Sequence, residues 1–209
     1  MCAVATPTFI EERALLARGF SLVAGTDEAG CGCWAGPVYA AAVILPLDSR
    51  IGLIRDSKTL SLAQRTTVAE QIRKVATSWA VGTASAEEID ELNIRRAGAL
   101  AMRRAIEGLP VKPDFVLIDA FLIPGLGIPS KGIVRGDSKV KSIAAASIIA
   151  KVARDLHMHE MEQAYPGYGF ANHKGYGTKE HQEALSRLGP CAEHRKSYAP
   201  VKAVLLRVK

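Results

Sequence analysis

Four carboxylates, Asp27, Glu28, Asp119 and Asp137, stand where apolar runs stop, and this placement gives them chemical interest. Leu22 to Thr26 delivers the adjacent pair Asp27-Glu28 into Ala29-Gly30-Cys31-Gly32. Asp114 to Ile118 ends in Asp119, and Gly132 to Val134 leads to Gly136-Asp137. Acidic side chains rarely sit in a core strand unless they are paired or hold a cation. Taken singly, each of the four reads as a cap or an ion-pair member. Gathered by a mixed sheet, they would raise one another's pKa until a cation relieved them. Carboxylate oxygens suit hard ions such as Mg2+ or Mn2+. Two such ions activate a water on one side of a phosphodiester and stabilise the leaving oxygen on the other, so hydrolysis is the natural reaction for this set.

The elements that must position these acids follow from periodicity. Leu22 to Thr26 reads as a buried strand, Gly30 to Gly32 as a tight turn, and Val38 to Leu45 as the returning strand. Neighbouring strand residues point to opposite faces, so Asp27 and Glu28 reach one ligand only through a bend or a backbone role. Asp114 to Ile118 and Gly132 to Val134 are further short strands, and Ser78 to Ala84 alternates as one. Residues 8 to 19 read as an amphipathic helix with Ile10, Leu15 and Leu16 as inner positions. Ser61 with Gln64, and Ser85 with Glu88, are capping boxes opening helices, the second interrupted near Asn93 and ending at Gly108. Ser142 to Asp155 is a strong helix whose small residues allow close packing on a sheet, burying Ile143, Ile148 and Val152. Asp137 stands near its start, where the dipole favours a carboxylate. Asp155 lies about 20 Å further along and is assigned to an ion pair or the helix surface.

Asp56-Ser57-Lys58-Thr59 is either a polar connection or a phosphate-binding loop, since Lys58, the hydroxyls and helix N–H groups favour anions. Arg95, Arg96, Arg103 and Arg104 only partly share a face and suit a solvated helix surface. From Tyr165 the composition turns to Tyr, Gly, His and Lys, giving a loop that carries His173-Lys174-Gly175-Tyr176. A short helix over 179–188 follows, with Thr178 at its cap and Gly189-Pro190 at its end. Two regions result: a core over residues 1–165 and a basic, aromatic C-terminal appendage over 166–209 that carries His194-Arg195-Lys196-Ser197.

A chain of 209 residues with 48% apolar and 23% charged content can bury a core without staples. Its net charge of +6 favours a polyanionic partner. Cys2, Cys31, Cys33 and Cys191 are too few and irregular for a disulfide framework, and Cys31-x-Cys33 has no second pair at zinc-site spacing. No signal peptide is read at the N-terminus, and no apolar run approaches the roughly 20 residues of a membrane helix. The expected compartment is cytoplasmic, with no membrane association. Gly30-x-Gly32-x-x-Ala35 superficially matches a dinucleotide fingerprint, but a strand follows where a helix should open.

Asp27-Glu28-Ala29-Gly30, Gly32, Ala35-Gly36-Pro37-Val38 and the Ala-rich strand after them resemble the first active-site segment of ribonuclease HII, the type 2 ribonuclease H family. The likeness extends to Asp56 to Leu60, Asn93 to Ala105, Ala144 to Asp155, His173 to Tyr176 and Ser197 to Val201. It implies an α/β fold: a ribonuclease H-like mixed sheet flanked by helices, with a C-terminal helical appendage. The implied activity is endonucleolytic cutting of RNA in RNA/DNA hybrids, and incision 5′ to single ribonucleotides in duplex DNA, leaving 3′-hydroxyl and 5′-phosphate ends.

The same resemblance makes Asp27, Glu28, Asp119 and Asp137 the metal-binding catalytic set for Mg2+ or Mn2+, and implies a monomer. It places Gly30, Cys31 and Gly32 at the 2′-hydroxyl, largely through backbone groups, and Tyr176 in a stack near the sugar on the DNA side, loop packing being the other reading of this tyrosine. Lys58, Lys174, Arg195 and Lys196 are expected to neutralise phosphates. One position departs: the family usually has a basic residue, mostly Arg, where this chain has Cys31. The expected consequence is weaker substrate affinity with retained metal chemistry. A rival reading, a catalytically weak hybrid-binding protein, is opposed by the intact acids, because pure binding has no need for a costly carboxylate cluster.

Overall fold

The computed structural model describes residues 6–54, 57 and 60–207. Its centre is a five-stranded mixed sheet in the order β3-β2-β1-β4-β5, formed by β1 (Val23–Ala29), β2 (Val38–Ile44), β3 (Ser78–Ala84), β4 (Phe115–Asp119) and β5 (Ser130–Ile133). The first three strands form an antiparallel meander; β4 and β5 run parallel to β1. A mixed sheet flanked by helices is the α/β architecture that the resemblance implies.

The pleat of β2 sorts its residues onto two layers. Val38, Ala40, Ala42 and Ile44 face a core shared with Ala97, Ala101, Met102 and Ala105 of α4 (Ile94–Glu107). Ala41 and Val43 face the other layer, built from α2 (Leu62–Val75) and α5 (Lys141–Ala164). The alanines of α5 let the helix lie almost on the strands: a Cβ placed on Gly25 would meet the carbonyl carbon of Ser142 at 2.2 Å and the amide nitrogen of Ile143 at 2.3 Å. Only glycine permits that approach.

Local signals fix most helix ends. Both capping boxes form, at Ser61/Gln64 for α2 and at Ser85/Glu88 for α3 (Ala86–Leu92). The interruption at Asn93 is a positive-φ residue whose side chain caps α4 through the N–H groups of Arg95 and Arg96. Arg104 pairs with Glu88 and Arg103 donates to the Gly125 carbonyl, so these two arginines tie neighbouring elements instead of lying free in solvent. Asp155 pairs with Arg65 and Lys151.

The first helix differs from its sequence pattern. In α1 (Ile10–Leu16), Leu15 is buried, but Ile10 is 70% exposed and Glu12 only 2%. The cause is a polar contact that outweighs the apolar stripe: Oε1 of Glu12 accepts from both the N–H and the hydroxyl of Ser142, satisfying an orphan N–H at the start of α5. Burial raises the Glu12 pKa, opposed by the two Ser142 hydrogen bonds.

Residues 165–177 are not loop throughout, since Phe170–His173 forms a one-turn helix, α6. Then come α7 (Lys179–Leu188), capped by Thr178, and α8 (Ala199–Arg207). Tyr168, Phe170 and Ala184 pack on Met158 and Met161 of the far half of α5 and on Ala35. Among the described residues no helix is long and apolar enough to cross a membrane.

Candidate active site

Parallel pairing puts the chain ends of β1 and β4 side by side. The last paired position is Thr26 with Ile118, so Asp27 and Asp119 are each the next residue outward. Ligands of open α/β sheets gather at this carboxyl edge. Here it opens into a cleft of about 250 Å³ lined by Asp27, Glu28, Asp119 and Asp137, by the turn Gly30-Cys31-Gly32, and by Ser57, Ser147, Lys151 and Tyr176.

Adjacent Asp27 and Glu28 do leave β1 on opposite faces. Asp27 lies on the α5 side, where the Ser147 hydroxyl reaches it, whereas the Glu28 side chain lies on the α4 side, against Gly98. Both line the cleft because the strand ends there and the cleft wraps its tip. Asp119 is fixed at the end of β4 by accepting the Gly136 N–H at 2.6 Å, which also ties it to the 3-10 turn Gly136–Ser138 carrying Asp137.

Asp27 is 5% exposed, and its carboxyl is held well above the usual range. Burial is the main cause, then the charges of Glu28 and Asp119; the Ser147 hydroxyl and the Glu28 N–H, which donates at 2.7 Å, only partly offset them. This is the electrostatic state that a hard cation relieves. The donor set therefore fits a divalent ion, although among the described residues no three such side chains yet close around one.

The turn that follows is anchored from beneath. Gly30 has φ +98°, and a Cβ there would strike the Arg154 guanidinium, with Nε at 2.1 Å. The Cys31 thiol donates to Oε1 of Glu28 at 3.4 Å; burial, then the Glu28 charge, push its pKa far up, so it is a neutral thiol.

Arg195 requires a correction. Expected at a phosphate, it is fully buried, and its guanidinium donates to the carbonyl oxygens of Gly36, Cys31 and Gly30 and to the Tyr198 hydroxyl. A guanidinium so enclosed cannot touch a nucleic-acid backbone. Lys174 also stands outside the cleft lining: its ammonium donates to the Ala171 carbonyl and contacts His159. Lys196 is exposed, with its backbone N–H on Asp90. Lys58 lies outside the described residues.

Two cleft residues were not singled out from sequence. Ser147 and Lys151 sit at i and i+4 on α5, with Asp155 at i+8, a polar stripe whose first two members interrupt the apolar run over 143–153. That stripe was the available signal. Ser57 joins Ser147 across 3.1 Å. The Lys151 ammonium, paired with Asp155 at 2.7 Å, lies 5.6 Å from the Tyr176 ring centroid, and Tyr176 is 41% exposed. Tyr176 is held by its backbone: its carbonyl faces Nδ1 of buried His181, whose Nε2 meets Nε2 of His194 at 3.1 Å, and Nδ1 of His194 accepts the Cys191 N–H. Accepting at Nδ1 makes Nε2 of His194 the donor, which leaves His181 accepting at Nε2 and donating at Nδ1.

Comparison with known proteins agrees with this architecture. A model of the ribonuclease HII family matches residues 24–201. The chain is 52% identical to the ribonuclease HII of Desulfitobacterium hafniense over 195 residues, 93% of this chain and 75% of that one. It is 55% identical to the ribonuclease HII of Caulobacter vibrioides over 190 residues, 91% and 90% of the respective lengths. The crystal structure of ribonuclease H2 from Pyrococcus horikoshii superposes with a TM-score of 0.76 at 25% identity, covering 90% of this chain and 98% of that one.

Proposed function

The chain belongs to the ribonuclease HII family and is a ribonuclease H endonuclease, and from that premise we propose that its carboxylate cleft cuts the RNA strand of RNA/DNA hybrids and incises 5′ to single ribonucleotides in duplex DNA. The observation that carries this reading is the meeting of four acids from β1, β4 and the 3-10 turn in one cleft, beside the turn Gly30-Cys31-Gly32.

Asp27, Glu28, Asp119 and Asp137 would hold Mg2+ or Mn2+, and a cation would relieve the buried Asp27, whose carboxyl is held well above its usual range. When bound, such ions supply the positive charge that favours an attacking water and a leaving 3′-oxygen at one phosphodiester. Cleavage of the bond between phosphorus and the 3′-oxygen on the 5′ side of the ribonucleotide leaves 3′-hydroxyl and 5′-phosphate ends.

The remaining lining residues orient the substrate. Lys151 presents an ammonium suited to a phosphate, while the Ser147 hydroxyl is turned to Asp27 and that of Ser57 to Ser147. Cys31 and Gly32 direct backbone N–H groups to the 2′-hydroxyl, which can accept as well as donate. The ring of the half-exposed Tyr176 stacks near the neighbouring sugar on the DNA side. Lys174 and Lys196 act at longer range within the +6 surface field, giving affinity that falls with salt. With a neutral thiol at position 31, the turn offers no charge to a phosphate, so its own contribution to affinity rests on backbone groups.

The test is incision of a labelled duplex holding one ribonucleotide, beside an all-DNA duplex, in Mg2+, Mn2+ and chelator. Cutting confined to the ribonucleotide duplex, requiring a divalent ion and leaving 3′-hydroxyl and 5′-phosphate ends, is the expected result. Metal-independent cutting, or 2′,3′-cyclic ends, would overturn the reading.

A further inference from the structure

Arg195 and Arg154 are both fully buried, and neither takes a carboxylate partner among the described residues. A buried cation is costly unless other groups satisfy it. Here backbone carbonyls do so. Arg154 donates to the carbonyl oxygens of Pro37, Ala35 and Lys174, and Arg195 to those of Gly36, Cys31 and Gly30. Tyr198 completes the second group: its hydroxyl donates to the Cys31 carbonyl at 2.8 Å and accepts from Arg195 at 3.1 Å.

The geometry of the peptide bond turns this into a statement about the cleft. In a planar trans peptide the C=O of one residue and the N–H of the next point in opposite directions. Pulling the Gly30 and Cys31 carbonyls onto Arg195, which does not line the cleft, sends the N–H groups of Cys31 and Gly32 the other way, toward the cleft that their residues do line. Among the described residues neither N–H has an acceptor within the protein. The turn thus holds two donors ready for an external oxygen, and the buried guanidinium fixes their direction.

We propose that Arg195, aided by Tyr198, is a positioning residue that sets ribonucleotide specificity by orienting the Cys31 and Gly32 N–H groups from behind. This rests on the ribonucleotide reading given above. It assigns Arg195 an indirect role, in place of the phosphate contact that its charge suggests. The role is sharper here than where position 31 is basic, since the Cys31 side chain brings no charge to the substrate.

The experiment measures dissociation constants for a single-ribonucleotide duplex and the matching all-DNA duplex in chelator, with KM and kcat on the former, for wild type, Arg195→Lys and Tyr198→Phe. Lysine keeps the charge, but a single ammonium cannot hold three carbonyls in a planar fork. The preference for the ribonucleotide duplex should fall about tenfold in Arg195→Lys, the equivalent of one well-made hydrogen bond. Tyr198→Phe should lose a smaller part, and in both variants KM should change far more than kcat. A lower melting temperature with an unchanged preference would make Arg195 a packing residue only and overturn the proposal. If Arg195→Lys does not fold, Tyr198→Phe decides: a reduced preference supports the proposal and an unchanged one refutes it. Absence of any ribonucleotide preference in the wild type would instead refute the proposed function itself.

Discussion

Replacing Asp27 with Asn should make the metal-free protein more stable and the metal-loaded protein comparatively less stable. Asp27 is almost fully buried, with Glu28 and Asp119 beside it, and its carboxyl is held well above its ordinary 3.8. Asn has the same shape and still offers Oδ1 to the Glu28 N–H, so the substitution removes the charge and little else. An inadequately compensated buried charge costs on the order of 1–3 kcal/mol, which Asp27→Asn should recover near pH 7.5 without metal. The sign follows from linkage: a carboxyl raised in the folded state loses native stability as pH rises above 3.8, so the advantage of Asn shrinks as pH falls back toward that value. A divalent ion at 100 times its dissociation constant adds about 2.7 kcal/mol to a protein that binds it only when folded. The variant, lacking one ligand charge, should gain much less. Urea denaturation in chelator and in excess Mg2+ would read both effects. A variant less stable than wild type in chelator, or an equal gain from Mg2+ in both, would refute this account of the cleft.

Three other perturbations probe separate links. Cys31→Arg should lower KM for the single-ribonucleotide duplex roughly tenfold with kcat nearly unchanged, the worth of one charged hydrogen bond; an unchanged KM would show that the turn's backbone alone determines affinity. Gly25→Ala forces a Cβ into the backbone of α5 and should cost about 3 kcal/mol or more in urea denaturation, the upper end of overpacking penalties, while loosening Ser147 and Lys151 against Asp27; a loss under about 0.5 kcal/mol would contradict the close strand–helix contact. Burial pushes the pKa values of His181 and His194 down to about 4, so the stability that they lend is complete above their ordinary 6.5 and lost as pH falls toward 4. Their imidazole NMR signals should stay constant from pH 8 to about pH 5.5, and titration near 6.5 would contradict the neutral relay behind Tyr176.

The sequence made the acids visible because each interrupts an apolar period at a strand end, and strand pairing then carries Asp27 and Asp119 to one edge. It made the capped helices visible because Ser61, Ser85 and Thr178 act within a few residues of their own helix starts. What it hid was long-range. Nothing local distinguishes the buried Arg195 from an exposed arginine, since its partners at Gly30 and Cys31 lie 165 and 164 positions away. Glu12 misled in the same manner: its bond to Ser142 spans 130 positions and rotates α1 so that Ile10 faces solvent. The residues flanking Asp27 on α5 were legible in principle, as polar steps of four at Ser147, Lys151 and Asp155, but the small apolar residues between them dominate the helix pattern.

The central claim is that the cleft acids hold the divalent ions with which the protein hydrolyses the phosphodiester at a ribonucleotide. The most direct test is single-turnover incision of a one-ribonucleotide duplex by wild type and Asp119→Asn in parallel, in Mg2+ and in Mn2+, with substrate binding measured on the same samples. Asn keeps an oxygen for the Gly136 N–H, so the variant should fold and bind the duplex while its incision rate falls by at least about a hundredfold, the scale for losing an electrostatic contact made in the transition state. Incision by Asp119→Asn at the wild-type rate would contradict the account.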